Sequence, residues 1–345
     1  MTKTDNTFFV EIIPTGYYFF GNERTFTTTQ KDKYGAVVSN YFAESNLYPQ
    51  QTALLGMLRH SLLILYNRLE ASDVDKSEII GDENFNVLKD SPYGIINNLS
   101  PLVVFKKSEN KFLLPAGLDH QIYKEGKVML DYTDVQVSGF NGSFTSTLPV
   151  LKHFRYKENL NNYLTDGTTI YTEKEIFKSV TKTGVDKDRI DEAFYKQTFK
   201  GLCKGYSFGL WVNFTDALDV SMLKDIIIPF GADQGLFKLK FHTDKENVLV
   251  DDTKATSFKK IVLLSDAWVE EDIFKKIAFG ITAFTPFRFI DTPKNNFYKL
   301  GTGSKSKKYS LLQRGSVLYP KEGFDITNLN KPAMQRIGYN YFKLI

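Results

Sequence analysis

The stretch YPQQTALLGMLRHSLLILYNRL, residues 48–69, predicts the helix around which the fold is organised. Leucines recur along it at helical spacing and form one broad apolar stripe, and other apolar side chains cover most of the remaining surface. We therefore expect this helix to be buried on most sides. Arg59 and His60 interrupt it, and a guanidinium group at such a position needs acceptors: a carboxylate, carbonyl groups or a phosphate. An internal ion pair and an external anion are both open for Arg59.

Length and composition bound the class of protein. The chain has 345 residues, of which 42% are hydrophobic and 14% aromatic, enough for two domains or one large composite body. The single cysteine, Cys203, excludes an internal disulfide framework and is typical of a reducing compartment. No apolar run is long enough to cross a membrane, and the first residues lack the pattern of a secretion signal. We expect a soluble, cytoplasmic protein without a membrane partner.

Charge is distributed unevenly along the chain. Residues 275–345 hold 13 Lys or Arg and 3 Asp or Glu, a net charge of +10, whereas the remainder carries −6. The same region is rich in Phe and Tyr. Basic residues mixed with aromatics suit single-stranded nucleic acid, because the charges follow the backbone and the rings stack on bases. A solvated lysine-rich surface is the alternative.

Several segments predict β-strands. FFVEIIP near the N-terminus predicts a strand that runs into turn residues. FGLWVNF at 208–214 and FKLKFH at 237–242 alternate in the manner of strands. PLVVF and FLLP flank a polar turn and predict a hairpin, and residues 126–149 predict another hairpin with an exposed tip.

Two further segments predict helices. TEKEIFKSV begins as a short helix, with Thr172 as N-cap and Glu175 three residues later. SDAWVEEDIFKKIAFG, residues 265–280, predicts a longer one, with acids in its first turn and Gly280 as its stop. Helices and strands alternate irregularly, which favours an α+β fold.

The sequence lacks the motifs that would indicate catalysis or a cofactor. Four histidines at 60, 120, 153 and 242 have no metal-binding spacing, and GTGSK lacks the spacing of a phosphate-binding loop. We therefore expect a binding protein with no metal, no cofactor and no enzymatic activity. His60 as a general base for RNA cleavage is the catalytic alternative, and a packed histidine is the structural one.

Several separated segments resemble one family, the RAMP superfamily of type III CRISPR effector complexes. PTGYYFFGNERTF resembles its opening strand and loop, YPQQTALLGMLRHSLL its first helix, and FLLPAGLDH a following strand. The stretch from YLTDGTTIY to GYSFGLWVNF resembles its central turn and strand, and LLQRGSVLYP and RIGYNYF resemble its closing elements. Order and spacing are most similar to the third subunit of the Cmr (type III-B) complex.

The chain departs from the family pattern at two places. RIGYNYFKLI keeps only Gly338 and has Tyr339 and Asn340 where small residues are usual. Thr181 and Lys182 stand before the central glycine turn, where an acidic residue is usual.

The resemblance implies two ferredoxin-like (RRM-type) domains packed as one body, with inserted hairpins and loops. We expect them at residues 1–200, with a thumb hairpin, and at residues 201–345, with basic RNA-facing loops. The implied function is non-catalytic: the subunit binds the 5′ repeat-derived handle of the CRISPR RNA. The implied protein partners are the large polymerase-like subunit and the backbone RAMP subunits, and target RNA is engaged only indirectly, through the guide.

The candidate site residues combine this resemblance with the charge and aromatic pattern. The RNA-binding candidates are Gln51, Thr52, Arg59, His60, Lys305, Lys307, Lys308, Arg314, Arg336, Gly338 and Tyr339. For the thumb we select Phe140 and Phe144, which could insert as aromatic wedges, and packing within their own domain is the alternative.

Three other functions remain open at this point. The chain could be a RAMP endoribonuclease that processes CRISPR RNA precursors. It could be the equivalent handle-binding subunit of a type III-A complex. It could also be a protein scaffold that touches no RNA.

Overall fold

The structure is a computed structural model that describes most of the chain. The described residues are 6–21, 25–31, 37–81, 86–123, 126–129, 132–138, 145–151, 163–186, 193–249, 258–291 and 304–345.

The described chain is built mainly of strands. In chain order these are β1 (Thr7–Pro14), β2 (Thr25–Lys31), β3 (Val37–Glu44), β4 (Ile96–Leu99), β5 (Val103–Lys106), β6 (Lys111–Pro115), β7 (His120–Tyr123), β8 (Gly126–Met129), β9 (Tyr132–Ser138), β10 (Thr145–Leu151), β11 (Leu164–Thr165), β12 (Ile170–Tyr171), β13 (Phe177–Asp186), β14 (Ala193–Leu202), β15 (Tyr206–Phe214), β16 (Ile226–Phe230), β17 (Gly235–His242), β18 (Ile261–Leu263), β19 (Ile277–Ile281), β20 (Phe284–Phe287), β21 (Ile290–Asp291), β22 (Ser304–Lys305), β23 (Tyr309–Leu312), β24 (Val317–Pro320) and β25 (Phe342–Leu344).

The helices of the described chain are fewer and mostly short. They are α1 (Gln51–Leu65), α2 (Asp73–Ile80), α3 (Glu173–Ile176), α4 (Ile273–Lys276) and α5 (Pro332–Gln335), with 3₁₀ turns at Lys107–Glu109, Val220–Met222 and Ile326–Leu329.

A nine-stranded sheet forms the centre of the fold. Its order is β12-β11-β6-β5-β15-β1-β17-β16, and β4 also pairs with β15. β1 lies between β15 and β17 and is antiparallel to both, with Val10 opposite Leu210 on one side and Phe241 on the other. The predicted strands near the N-terminus, at 208–214 and at 237–242 are therefore confirmed, and they are neighbours in this sheet.

Helix α1 packs against one face of this sheet. Alternate residues of β1 and β15 point to this face and form one apolar cluster with the buried leucines of α1. The expectation that α1 is buried on most sides is confirmed, since ten of its residues are buried. The helix ends at Leu65, and Asn67, just after the C-cap Tyr66, adopts a left-handed φ of 53°. Asn67 N–H donates to Ile64 O and Arg68 N–H to Leu63 O, a Schellman-type end that satisfies the last carbonyl groups.

A second sheet is formed by the order β13-β14-β3-β2. β13 and β14 form a long antiparallel hairpin, and β14 is parallel to β3 on its other side. The predicted short helix before β13 is confirmed as α3, with Thr172 and Glu175 making a reciprocal capping box. The hairpins predicted around β5–β6 and within residues 126–149, now β9–β10, are also confirmed.

A third sheet, β19-β24-β18-β25, lies entirely in the C-terminal part of the chain. Here the predicted helix over 265–280 is wrong. Only Ile273–Lys276 is helical, and Ile277–Ile281 is strand β19, paired with β24. The expected N-cap groups are used in tertiary contacts instead: Ser265 Oγ accepts from Tyr341 N–H at 2.9 Å and Asp266 Oδ1 from Arg314 N–H at 2.8 Å.

The fold class is α+β, as predicted. The central sheet combines strands from both sides of residue 200. β1 pairs with β15 and with β17, and β16 pairs with β17. The division at residue 200 and the two ferredoxin-like domains stay predictions.

Candidate nucleic-acid interface

An open groove of about 290 Å³ lies at the N-terminal end of α1. Its walls come from segments far apart in sequence, and we call it the α1 groove. Its lining residues are Glu44, Ser45, Asn46, Leu47, Tyr48, Pro49, Gln50, Gln51, Leu102, Glu173, Lys200, Ser265, Asp266, Phe284, Thr285, Pro286, Phe287, Gln313 and Arg314. A second hollow of about 280 Å³ shares residues 48–50 with it and extends to Phe20 and Gly231.

Arg314 stacks on Tyr48 in the wall of the α1 groove. Its guanidinium carbon lies 4.3 Å from the centre of the Tyr48 ring, and Nη2 donates to Leu102 O at 2.8 Å. Burial raises the pKa of the Tyr48 phenol to about 12, although the charge of Arg314 opposes this shift. A planar cation fixed on an aromatic ring is suited to stacking and to anion recognition.

Carboxylates share the groove with its two cations, Arg314 and Lys200. Lys200 Nζ lies 2.7 Å from Glu44 Oε1, so this pair is nearly neutral. Burial raises the pKa of Asp266, and the Arg314 backbone N–H and guanidinium lower it. The groove is therefore mixed in charge, with Arg314 as the cation least balanced by a contacting carboxylate.

The segment Arg336–Tyr339 meets the first turn of α1 at Ser100. Gln51 Nε2 donates to Ser100 O at 2.9 Å and to Ile337 O at 3.2 Å. Thr52 N–H donates to the Tyr339 hydroxyl at 3.4 Å, and burial raises the pKa of Tyr339. Four sequence-predicted residues, Gln51, Thr52, Gly338 and Tyr339, thus meet here, but their contacts are mainly internal.

The side chains of Arg59 and Arg336 lie away from the start of α1, beside Tyr93. The Arg336 guanidinium is 4.8 Å from the Tyr93 ring centre and donates to Asp90 Oδ1 at 2.7 Å and to Asn97 O at 2.8 Å. Burial raises the pKa of Tyr93, and the charges of Arg336 and Arg59 lower it. Arg59 is only 7% exposed, a geometry that favours the internal alternative considered for it.

The remaining candidates are scattered. His60 is exposed on α1, and Lys307 and Lys308 are exposed before β23, with Lys307 Nζ 5.2 Å from the Tyr309 ring centre. Lys305 ends the short strand β22. Phe140 and Phe144 lie outside the described residues, between the described strands β9 and β10.

The described part of the chain shows neither a metal-binding cluster nor a membrane-spanning helix. Over those residues, no group of three or more His, Cys, Asp or Glu side chains is arranged to hold a metal ion. No described helix is both long and apolar enough to cross a membrane.

Sequence reasoning missed most of the groove. Tyr48, Lys200 and Phe284 line it but are separated by more than a hundred residues or lie on different sheets. Gln51 and Arg314, which the sequence did select, also line it. A further local signal is Pro49, just before the N-cap Gln50 of α1, since a proline fixes the direction of the chain.

Comparison with known proteins gives a family. The model of the family CRISPR-associated protein (Cas_Cmr3) matches residues 10–278. None of the curated proteins matches the chain.

Solved structures similar to this chain come from type III CRISPR complexes. One is a chain of the type III-B Cmr-beta bound to cognate target RNA, with 13% identity, a TM-score of 0.48, and 97% of each chain covered. A second, of Cmr-beta bound to cognate target RNA and AMPPnP, has 12% identity and a TM-score of 0.45, with 96% of this chain and 94% of that chain covered.

A third similar structure is the Csm3–Csm4 subcomplex of the type III-A interference complex. It has 14% identity and a TM-score of 0.40, with 91% of this chain and 93% of that chain covered. The family match spans well over half of the sequence and agrees with the resemblance found in its motifs. The chain belongs to the CRISPR-associated Cas_Cmr3 family.

Proposed function

We propose that this chain is the subunit of a type III-B CRISPR effector complex that holds the 5′ repeat-derived handle of the CRISPR RNA in the α1 groove. Family membership supplies the setting. The observation that carries the proposal is the Arg314–Tyr48 stack in the groove wall, with a ring-to-guanidinium distance of 4.3 Å.

The groove offers what a bent single strand requires. Splayed bases need rings to stack on and amide groups to read their edges, and phosphates need cations. Tyr48 and Phe284 supply rings, Asn46 and Gln50 supply amides, and Arg314 supplies the cation. A guanidinium has five N–H donors, and Arg314 gives one of them to Leu102 O, so it keeps donor capacity beyond this bond.

Recognition in this groove would depend on side chains more than on backbone amides. The Thr52 N–H is taken by Tyr339, and the Ala53 and Leu54 N–H groups donate to Gln50 O. The helix N-terminus still contributes a positive electrostatic potential to the groove. The adjoining hollow beyond residues 48–50 extends the surface available to the strand.

The assembly role is part of the same proposal. The chain would dock the large polymerase-like subunit and the first backbone subunit, and it would meet target RNA only through the guide. The β9–β10 hairpin is the proposed thumb, because its two strands pair with each other and with no other described strand. Phe140 and Phe144, which lie between these strands in the sequence, remain the proposed wedge residues.

We propose that the subunit does not cut RNA. The alternative, a RAMP endoribonuclease that uses His60, predicts metal-independent cleavage of repeat RNA by the purified chain and loss of cleavage in His60→Ala. The type III-A alternative predicts co-purification with the subunits of that complex. The two ferredoxin-like domains, at residues 1–200 and 201–345, remain part of the proposal.

Handle binding can be measured with fluorescein-labelled handle RNA and the purified chain. We expect Arg314→Ala to weaken binding by about tenfold or more, which is the value of one lost stacking or charged contact. Arg68→Ala is the matched control, because Arg68 is a half-exposed arginine just beyond the opposite end of α1. A folded Arg314→Ala variant that binds the handle as tightly as the parent would refute the proposed site.

A further inference from the structure

A second aromatic surface lies on one face of the sheet formed by β13, β14, β3 and β2. Tyr17 and Tyr195 are 42% and 40% exposed, although both are large rings that usually find partners. Phe199 lies on the same face as Tyr195, because residues four apart in a strand point the same way. The Phe19 ring meets Phe199 edge-on at 5.5 Å.

Each exposed tyrosine lies across a glycine of the neighbouring backbone. A Cβ added to Gly184 would come within 2.3 Å of the Tyr195 ring, which sits opposite Gly184 in the β13–β14 register. A Cβ on Gly201 would come within 3.1 Å of the Tyr17 ring. The glycines therefore let both rings lie close to the strands, supported on one side and open on the other.

Two lysines accompany these rings. Lys178 Nζ is 5.0 Å from the Tyr17 ring centre and Lys182 Nζ is 4.5 Å from that of Phe199. Within the described residues neither lysine forms an ion pair. Lys200, on the opposite face of β14, does pair with a carboxylate. The charge of this face is therefore available to a polyanion.

We propose that this surface, which we call the tyrosine platform (Tyr17, Lys178, Lys182 and Tyr195), binds single-stranded RNA without sequence preference. Phe199 is 7% exposed and is not counted among its open rings. Open rings that stack on any base, beside lysines that follow the phosphates, are the features of such sites. Strand β14 connects the platform to the α1 groove, since Lys200 lines the groove from the other face. In cells this RNA would be the part of the guide that leaves the handle site, an identification that rests on the proposed function.

The test uses a fluorescein-labelled 15-nucleotide oligouridylate and the purified full-length chain. Tyr17→Ala/Tyr195→Ala should weaken binding by about tenfold or more, as expected for lost base stacking. Phe42→Ala is the matched control, because Phe42 is 38% exposed and pairs with Lys196, on the opposite face of the same sheet. The control should bind within about twofold of the parent, since no platform ring is removed.

The lysines are tested through salt dependence. Lys178→Ala/Lys182→Ala should reduce the slope of log affinity against log salt by about 1.4, the value for two single-strand phosphate contacts. Lys196→Ala, an exposed lysine on the other face of β14, should leave the slope unchanged. Gly184→Ala keeps every ring and charge but displaces Tyr195, and it should weaken binding in the same direction as the double tyrosine variant.

The outcomes separate this inference from the proposed function. If folded platform variants, checked by circular dichroism and thermal melting, bind oligouridylate like the parent, the platform inference is overturned. If they lose a protein subunit from the purified complex while RNA affinity is unchanged, the surface is a protein contact and the inference is likewise wrong. Failure of the handle proposal would instead appear as unchanged handle affinity in Arg314→Ala, with oligouridylate binding still dependent on the platform.

Discussion

The side-chain amide of Gln51 occupies the position that a Cβ on Gly338 would need. A methyl group at Gly338 would lie 1.8 Å from Gln51 Nε2 and 2.5 Å from Ser100 O. Gly338 also adopts a φ of 89°, a conformation that side-chain-bearing residues rarely adopt. The C-terminal segment can therefore reach the start of α1 only with a glycine here.

Gly338→Ala should destabilise the protein strongly. Strain at a positive φ costs about 1–2 kcal/mol, and displacing Gln51 and the Ser100 backbone adds to it. Gly323→Ala is the matched control, because Gly323 has a φ of 76° and no atom within 4 Å of the added Cβ. Urea unfolding should show a larger loss of unfolding free energy for Gly338→Ala than for Gly323→Ala. Equal losses would mean that the close approach to Gln51 does not contribute to stability.

A buried ion pair joins the loop after β6 to the C-terminal sheet. Lys260 Nζ lies 2.6 Å from Asp119 Oδ2, which also accepts from the Tyr319 hydroxyl at 3.1 Å. Lys260→Met should cost about 3–5 kcal/mol, because it leaves a buried carboxylate without its cation. Adding Asp119→Asn in the same chain should recover part of that loss.

Lys259→Met is the control for the ion pair, since Lys259 is the exposed neighbour. Chemical unfolding of Lys260→Met, Asp119→Asn and the double variant gives the interaction free energy between the two side chains. If the effects of Asp119→Asn and Lys260→Met simply add, the pair has no net interaction and this account of the contact between the sheets is wrong.

Asp166 is expected to make stability depend on pH. Lys111 Nζ donates to its Oδ2 at 2.8 Å, and the Thr169 and Thr168 N–H groups donate to Oδ1 at 2.7 and 2.9 Å. These contacts hold the pKa of the Asp166 carboxyl well below its usual range. The folded state thus favours the ionised form, so the stabilisation is complete above the unfolded pKa of about 4 and is lost as the pH falls below it.

Asp166→Asn should therefore lower the urea midpoint at pH 7, and its difference from the parent should narrow as the pH falls from about 5 to about 3. Asp216→Asn makes the same change of charge at an exposed position and should change the urea midpoint at pH 7 less than Asp166→Asn does. If the difference in urea midpoint between Asp166→Asn and the parent does not change with pH, ionised Asp166 does not stabilise the folded state.

The fold could be predicted best where periodicity is strong. Helix α1 and strands β15 and β17 were identified because their apolar residues recur at one clear spacing, and β1 because a short apolar run leads into turn residues. The helix expected over 265–280 failed, because Phe279 and Ile281 pair with Tyr319 and Val317 of β24. A partner strand forty residues away does not appear in a local pattern of caps and charges.

The candidate site was predictable only in part. Gln51 and Gly338 could be named because a glycine segment and a helix entry both resemble family motifs, and they do meet. Arg59 was selected as a candidate RNA contact, but it is buried on α1 near Tyr93. The convergence of Tyr48 and Arg314 depends on the packing of whole sheets, and no spacing in the sequence encodes it.

The most direct test of handle binding is to tag the protein in its own host, purify it gently and sequence the small RNA that co-purifies. We expect RNAs that share one repeat-derived 5′ end followed by diverse sequence, with reduced recovery for Arg314→Ala and normal recovery for Arg68→Ala. Recovery of partner proteins without such RNA would contradict it.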